Sequence, residues 1–325
     1  MPDPQAAPRP GAGAWREDVL GPDFQARTLP LPGGAEAVLV RHVPSTPGDT
    51  GSPAARTAVL YVHGFADYFF HPHLATAVAA RGLAFYSVDL RGHGRAWDAH
   101  VSAGGDPNQV RDVAVYAQDL DAAAAAVRSA GHERLVVLGH STGGLVAPLW
   151  ASARPGRADA LVLNSPWVQL NKPGPVRAAA TALVEVLGVL APRAIVNHLD
   201  DGYARALHRA QGGEWEFDPA WKPDEPFAVR AAWLRSVLRS QRRLARGLRL
   251  DVPVLVLTSD RSTADQHLTT DTVLDVAHMR ERAPRLGGDV TVRTITGGAH
   301  DLALSPRPAR DAYLTAVLDW IEALP

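Results

Sequence analysis

The sequence predicts an α/β fold with a mostly parallel central sheet, helices on both faces and an inserted helical cap. Short apolar runs alternate with helical stretches from residue 58 onward, which is the pattern of parallel strands that are buried on both faces. The alternation breaks over residues 167–249, where helical segments replace it. Hydrophobic residues make up 46% of the 325 residues and charged residues 21%, so the composition is that of a globular protein.

The amino-terminal region precedes this alternation. Residues 1–23 are rich in Pro, Ala and Gly, and we expect them to form a disordered leader. Residues 24–30 and 35–43 are predicted as two short strands, and the Leu-Pro-Gly-Gly sequence between them is a hairpin signal. Residues 44–55 are predicted as a loop from their composition.

The alternating region supplies a core formed by residues 24–166 and 250–325. Strands are predicted at residues 58–62, 84–88, 135–138, 161–163, 252–257 and 290–295, and helices at 74–81, 109–128 and 145–152. The interrupting segment, residues 167–249, holds two predicted helices, 176–190 and 227–247, and four of the eight tryptophans. We interpret this segment as an inserted helical cap; the alternative is a second half of the same fold.

The charge and cysteine counts exclude several classes of function. With 33 basic and 34 acidic residues the net charge is −1, so the chain has no overall field that would attract nucleic acid. The absence of cysteine excludes disulfides, zinc–thiolate sites and cysteine nucleophiles. No stretch reaches the roughly 18 apolar residues of a membrane span, and the first residues hold no signal-peptide core. We therefore expect a cytoplasmic protein.

A candidate nucleophile lies in Gly139-His140-Ser141-Thr142-Gly143, which matches the pattern G-x-S-x-G. The pattern alone occurs by chance, but here it follows a predicted strand and precedes a predicted helix. A serine on such a sharp turn is strained and needs small neighbours, which Gly139 and Gly143 supply. The positive end of the following helix would also lie near a developing anion. Ser141 is therefore the predicted nucleophile.

A serine hydroxyl needs a base and an acid that orients the base. Among the thirteen histidines, His300 is best placed, because it lies in a loop directly after the predicted strand 290–295. In the chain order Ser, Asp, His, the acid should follow the predicted strand 252–257. We favour Asp271, which heads a predicted helix and leaves room for one helix and one strand before His300. Asp260, at the end of the strand, is the alternative.

His63-Gly64-Phe65 follows the predicted strand 58–62. The backbone N–H groups of Phe65 and Thr142 are the predicted donors to the oxygen that becomes negative during acyl transfer. A His-Gly pair alone is weak evidence, since Gly64 can simply permit a tight turn. The pair gains weight because it accompanies the G-x-S-x-G turn.

Three further features have weaker interpretations. The glycines of Asp89-Leu-Arg-Gly-His-Gly94 predict a constrained loop, and we expect Arg91 and His93 to brace the oxyanion loop without taking part in the chemistry. His71-Pro-His73 lacks a third ligand at a sensible spacing, so we predict no metal site. The tryptophans of the insertion either line an acyl pocket or form the core of the cap, and the sequence favours neither.

These motifs together resemble the α/β-hydrolase superfamily, and more narrowly its monoacylglycerol lipase, lysophospholipase and serine aminopeptidase-like branch. The resemblance runs through VLYVHGFADY, FYSVDLRGHGRA, LVVLGHSTGG, PVLVLTSD and GGAHD, and covers about two thirds of the chain, residues 24–165 and 250–325. It implies Ser141 as nucleophile, His300 as base and a cap domain, with no cofactor.

The resemblance also implies Phe65 and Thr142 as oxyanion donors. The chain departs from the family pattern at the acid, where it reads Thr-Ser-Asp-Arg followed by an insertion instead of a short G-x-x-D turn. The cap matches no pattern of the family, so the resemblance does not identify the substrate.

The function that we expect is a serine esterase that cleaves lipid-like or small acyl carboxylic esters through an acyl-enzyme on Ser141. A small-molecule ester is then the partner, with no nucleic acid. The first alternative is a peptidase or amidase, for which Asp200-Asp201 or Asp224-Glu225 would hold a substrate amine. The second is a non-catalytic ligand-binding protein on the same fold, whose signature would be a missing member of the triad.

Overall fold

The computed structural model describes residues 13–43, 55–171 and 174–325, and a large sheet forms its centre. Within these residues eleven strands form, namely β1 Arg16–Asp18, β2 Gly21–Pro30, β3 Glu36–His42, β4 Thr57–Val62, β5 Ala84–Asp89, β6 Arg134–His140, β7 Ala160–Asn164, β8 Ile195–Leu199, β9 Phe227–Arg230, β10 Val254–Ser259 and β11 Val290–Ile295. Nine of them form one sheet in the order β1-β2-β3-β5-β4-β6-β7-β10-β11, and β8 pairs with β9. From β5 to β11 neighbouring strands are parallel, whereas β1, β2 and β3 add antiparallel pairs at one edge. The predicted mostly parallel sheet is confirmed.

Helices cover both faces of this sheet. The described helices are α1 Pro72–Ala80, α2 Trp97–Ser102, α3 Tyr116–Ser129, α4 Gly143–Ala153, α5 Gly174–Leu190, α6 Gly202–Leu207, α7 Ala231–Ala245, α8 Val276–Arg282 and α9 Arg307–Glu322. Leu60 and Val62 of β4 pack in one buried core with α3 and α4, whereas Val59 and Tyr61 pack in a second core with α1 and α9. Successive side chains of a strand point to opposite faces, so an apolar strand of this kind needs a helical layer on each side.

The carboxyl ends of the parallel strands meet at one edge of the sheet. The loop after β4 carries residues 63–65, the turn after β6 carries Ser141, and the loop after β11 carries His300. Since β4 pairs with β6, and β10 joins β7 to β11, these loops lie at the same end of the molecule. In open α/β sheets this edge is where ligands bind.

The amino-terminal region differs from the prediction. Residues 1–12 lie outside the described residues, but β1 and the start of β2 fall inside the expected disordered leader, 1–23. The reason is a buried ion pair: both oxygens of Asp18 accept hydrogen bonds from Arg95, at 2.5 and 2.6 Å. A Pro- and Ala-rich composition gives no sign of this partner, which lies 77 residues along the chain. The predicted hairpin does form, with β2 antiparallel to β3, while residues 44–54 lie outside the described residues.

Two predicted helices begin later than expected. The helix expected from residue 109 begins at Tyr116, and the one expected from residue 227 begins at Ala231 after strand β9. Before α3, Asp112 caps a separate 3₁₀ turn, Val113–Val115. Before α7, Gln109 donates to the carbonyl of Ala228 at 3.0 Å and accepts from the N–H of Arg230 at 2.7 Å. Its amide holds β9 extended, and such a contact across 121 residues leaves no local signal.

The chain between β7 and β10, residues 165–253, is called the insertion below. It holds α5, α6, α7 and the small sheet of β8 and β9. The prediction for residues 167–249 is a helical cap, so the two strands are a difference from the prediction. Along α5 several large apolar side chains are exposed: Val176, Leu183, Val186, Val189 and Leu190. Within the part of the chain that the structure describes, no helix is both long and apolar enough to cross a bilayer.

Candidate active site

Ser141 lies on a tight turn between β6 and α4, as the sequence predicts. Its φ is +52°, a left-handed conformation that is strained for a residue with a Cβ atom. Two backbone hydrogen bonds hold it there: its N–H donates to Asn164 at 3.0 Å, and its carbonyl accepts from Trp167 at 3.0 Å. The side chain therefore projects at the start of α4, where the helix dipole favours negative charge.

The glycines of this turn are required by close packing. A Cβ atom on Gly139 would lie 2.5 Å from the carbonyl oxygen of Gly143, and one on Gly143 would collide with the carbonyl oxygen of Val62. A Cβ atom on Gly64, in the neighbouring loop, would lie 3.2 Å from the Cβ of Ser141. The residue before Phe65 thus packs directly against the serine.

Ser141, His300 and Asp271 form a hydrogen-bonded row. The Nε2 atom of His300 lies 3.0 Å from Ser141 Oγ, and Nδ1 lies 3.0 Å from each carboxylate oxygen of Asp271. Because a carboxylate only accepts, Nδ1 carries the proton, and the neutral ring then accepts from the serine hydroxyl at Nε2. All three side chains are buried, with Ser141 8% exposed. This geometry can remove a proton from the serine oxygen.

Asp271 and Asp260 lie in different environments. Asp271 is fully buried, and one of its oxygens also accepts from the N–H groups of Val273 and Leu274, at 3.0 and 2.8 Å. Asp260 instead accepts from the N–H of Gly297 at 2.9 Å and so holds the turn after β11. The structure therefore brings Asp271 to the imidazole and leaves Asp260 away from it. The helix that the sequence places directly after Asp271 begins later, at Val276.

The two predicted oxyanion donors face the same cavity as Ser141. Phe65 and Thr142 both line it, and within the described residues neither backbone N–H donates a hydrogen bond. His63 braces this loop, since its Nδ1 donates to the carbonyl of Gly64 at 2.7 Å and its Nε2 accepts from the N–H of Leu90 at 3.0 Å. The His63 ring links the loop after β4 to the Asp89–Gly94 loop, whose His93 ring lies 4.8 Å away.

The cavity beside Ser141 has a volume of about 400 Å³, and the insertion forms much of its wall. Apolar side chains of the insertion line it, among them Trp167, Leu170, Val229, Trp233 and Leu234. Of the four tryptophans in the insertion, Trp167 and Trp233 thus line the cavity. Trp215 and Trp221 pack elsewhere, against His73 and Tyr68, with ring centroids 4.8 and 5.2 Å apart. Trp215 and Trp221 therefore pack on residues outside the insertion and do not form a core of the cap.

Several buried charges in the cavity escape sequence analysis. Asp67 forms a 2.7 Å ion pair with Lys222 of the insertion, and both side chains are more than nine-tenths buried. Burial alone would raise the pKa of Asp67, but the Lys222 ammonium holds it well below its ordinary value. No local pattern marks either residue, because they are 155 positions apart.

The described residues offer one cluster of possible metal ligands. Asp67, His140 and Asp301 bring one ligand atom each to within 4.8 Å of one another, and burial lowers the pKa of His140. The ammonium of Lys222 already neutralises Asp67, which disfavours a second cation there. His71 and His73 do not form a site: His73 contacts the carbonyl of Ala303 at 2.8 Å, and the two ring centroids are 5.7 Å apart.

A family model described as serine aminopeptidase, S33, matches residues 53–307. The chain belongs to this family of α/β hydrolases. The match spans β4 to the start of α9 and so includes the turn of Ser141, the insertion and the loop of His300. The resemblance stated from the sequence motifs is thereby confirmed.

Individual relatives of this hydrolase are lipases. The monoacylglycerol lipase of Mycolicibacterium smegmatis is 29% identical over 276 residues, which cover 82% of this chain and 88% of that protein. The crystal structure of Paleococcus ferrophilus monoacylglycerol lipase has a TM-score of 0.62 at 21% identity, covering 82% of this chain and 94% of its own. A soluble variant of Saccharomyces cerevisiae monoglyceride lipase, in complex with a substrate analog, has a TM-score of 0.63 at 16% identity, covering 91% and 95%. The α/β-hydrolase fold follows from these structural matches.

Proposed function

We propose that this family member is a serine esterase that cleaves carboxylic esters of lipid-like or small acyl type. The observation that carries the proposal is the unbroken row Ser141–His300–Asp271, with 3.0 Å at each step, beside a cavity of about 400 Å³. A volume of this order is typical of small-molecule sites. In this proposal residues 167–249 act as the cap over the site.

The proposed mechanism is acyl transfer through Ser141. The serine oxygen attacks the ester carbonyl while His300 Nε2 takes its proton, and Asp271 stabilises the imidazolium through Nδ1–H. The alcohol leaves with the proton from His300, and the acyl group remains on Ser141. Water then attacks the acyl-enzyme with His300 again as base, which releases the carboxylic acid and restores the serine.

The proposed oxyanion site consists of the N–H groups of Phe65 and Thr142. Both residues line the cavity, and Thr142 is the residue directly before α4. Donors without a protein partner can bond an oxygen that acquires charge only in the transition state, which is where such bonds accelerate a reaction most.

A lipid-like acyl group is supported by the walls of the cavity. Trp167 and Leu170 offer apolar surface in the cavity of Ser141, and α5 of the insertion presents exposed apolar side chains to its surroundings. The relatives named above are a monoacylglycerol lipase in two cases and a monoglyceride lipase in the third. We therefore place a medium or long acyl chain ahead of acetate.

An amidase or aminopeptidase is the second candidate, because Asp200 lines the cavity and the family description names a serine aminopeptidase. Two of the other acids suggested by the sequence have partners: Asp224 bonds to His208 at 2.8 Å, and Asp201 pairs with Arg205 at 3.3 Å. Asp200 itself accepts from the N–H of Gly202 at 2.7 Å. Asp200 is thus a single carboxylate that already has a hydrogen-bond partner. We therefore rank binding of a substrate amine below binding of an acyl chain on the apolar wall.

The test is hydrolysis of p-nitrophenyl esters from acetate to palmitate by wild type, Ser141→Ala and His300→Ala. We expect both variants to lose at least about 10³-fold in kcat, because each removes a member of one catalytic unit. A fluorophosphonate should label wild type and not Ser141→Ala.

Two outcomes would contradict this proposal. A folded wild type that neither hydrolyses esters nor reacts with the fluorophosphonate would favour a ligand-binding protein. Labelling together with turnover of aminoacyl p-nitroanilides, and none of esters, would favour the aminopeptidase.

A further inference from the structure

The Asp67–Lys222 ion pair joins the insertion to the loop that carries the proposed oxyanion donor. Lys222 is one of only two lysines in the chain, and its Nζ lies 2.7 Å from Asp67 Oδ1. Asp67 follows Phe65 by two residues, and both line the cavity with Ser141. A buried ion pair must overcome the cost of removing both charges from water, so stability alone explains its presence poorly.

The turn between Phe65 and Asp67 is strained. Ala66 has a φ of +49°, in the left-handed region that a residue with a Cβ atom adopts only when its surroundings impose it. On one side the turn is held by His63, which donates to the carbonyl of Gly64. On the other side it is held by Asp67, whose partner belongs to the insertion.

The insertion contacts the same loop at two more places. The ring of Phe65 stacks on Trp233 of α7, with centroids 3.9 Å apart and planes at 26°. The hydroxyl of Tyr68 accepts from the N–H of Asp218 at 2.8 Å, and the Tyr68 ring meets Trp221 edge-on. Residues of the insertion thus contact the loop after β4 at Phe65, Asp67 and Tyr68.

We infer that Lys222 is a positioning residue for the proposed esterase: it holds Asp67, and through Asp67 the left-handed Ala66, so that the Phe65 N–H faces the oxygen of the reacting ester. The oxyanion site is therefore complete only when the segment of the insertion around Lys222 is seated on the loop. This inference rests on the function proposed above, because it assigns a role within that reaction.

The first test is the steady-state kinetics of Lys222→Met on a p-nitrophenyl ester. Loss of an oxyanion donor outright costs about 10²–10³-fold in kcat, so a loosened donor should cost roughly 10- to 100-fold. KM should change far less, since the donor acts on the transition state and not on the bound ester.

The matched control is Arg310→Met. Arg310 forms a 2.8 Å ion pair with Glu214 and so also joins the core to the insertion, but it contacts no residue from Phe65 to Tyr68 among the interactions described. We expect wild-type kcat. An equal loss in both variants would mean that any core-to-insertion ion pair matters, and would overturn the specific role of Lys222.

The second test uses Ala66→Gly, because glycine adopts a positive φ without strain. If Lys222 acts by holding the strained turn, Lys222→Met should reduce kcat much less in the Ala66→Gly background than in wild type. An undiminished loss in that background would overturn the inference. If Lys222→Met does not fold, Asp67→Asn replaces it in both backgrounds with the same expectations.

The double variant Asp67→Asn/Lys222→Met separates positioning from simple charge imbalance. Lys222→Met alone leaves a buried unpaired carboxylate, which is costly by itself. We expect the double variant to stay as slow as Lys222→Met, and recovery of wild-type kcat would overturn positioning. An inactive wild type that the fluorophosphonate does not label would instead overturn the proposed function. If wild type is active and Lys222→Met has the same kcat as wild type, only this inference is overturned.

Discussion

At the scale of single residues, Asp271 and Asp260 lie in the same segment between β10 and α8 but form different hydrogen bonds. Both follow β10, and chain order alone leaves both open as the partner of His300. The stretch between them folds back on itself, with Thr263 and Thr270 hydroxyls 2.6 Å apart. This local folding carries Asp271 to the imidazole, while Asp260 remains at the strand end and accepts from Gly297.

The Asp271→Asn variant should lose about 10³- to 10⁴-fold in kcat. An asparagine can donate to Nδ1, which favours the wrong tautomer of His300 and leaves the imidazolium without a counter-charge. Asp260→Asn, as the matched control from the same connection, should retain activity within a few-fold. Ester hydrolysis under identical conditions compares the two, and a larger loss in Asp260→Asn would make Asp260 the acid.

At the scale of elements, strand β1 is held by side chains more than by its own propensity. It has only three residues and pairs with β2 at the edge of the sheet. Asp18 at its end shares the buried guanidinium of Arg95 with Asp89, and the side chains of Asp18 and Arg95 are 2% and 4% exposed. A short edge strand of this kind depends on the tertiary contact that its last residue makes.

Asp18→Ala should lower the free energy of unfolding by about 2–4 kcal/mol, because it removes one of the two carboxylates that balance a buried cation. Glu17→Ala, at the exposed neighbouring position of β1, should change it by less than about 0.5 kcal/mol. Urea denaturation measures both. Equal stability of the two variants would mean that β1 contributes nothing through Asp18.

At the scale of the whole molecule, the fold lowers the pKa values of four histidines through burial. Burial lowers the pKa of His71 to about 3, and burial also lowers the pKa values of His73, His93 and His140. In the unfolded chain these side chains take up protons near their ordinary pKa of 6.5. Below that pH the unfolded state therefore binds more protons than the folded state, and stability falls as the pH falls toward the folded pKa values.

His71 should cost about 1.4 kcal/mol of stability per pH unit between the unfolded pKa and its folded pKa of about 3. His71 is fully buried, and neither ring nitrogen has a hydrogen-bond partner among the described residues, so His71→Phe should fold. Between pH 6 and 4 the unfolding free energy of His71→Phe should fall less steeply than that of wild type, by about 1.4 kcal/mol per pH unit, because one fewer proton is taken up on unfolding. Leu190→Ala, at an exposed position of α5, changes no titratable group and is the control, so it should keep the wild-type slope. Urea midpoints across this range measure both, and parallel slopes for wild type and His71→Phe would contradict the argument.

Several features of the fold follow from residues that are close together in the chain. Apolar runs predict the parallel strands, Gly139 and Gly143 allow the strained turn of Ser141, and a Leu-Pro-Gly-Gly sequence predicts the hairpin of β2 and β3. The order of strands along the chain also brings His300 to the edge where Ser141 lies, because parallel strands end on the same side. These features follow from periodicity and steric limits that act over a few residues.

The pairing of residues that are far apart in the chain depends on how the elements pack. Asp18 meets Arg95 across 77 positions, Gln109 meets Arg230 across 121, and Asp67 meets Lys222 across 155. Each pair sets something that local patterns miss: the strand in the expected leader, the late start of α7, and the loop beside Ser141. Burial makes these polar contacts strong and specific, and burial exists only once the chain has closed around them.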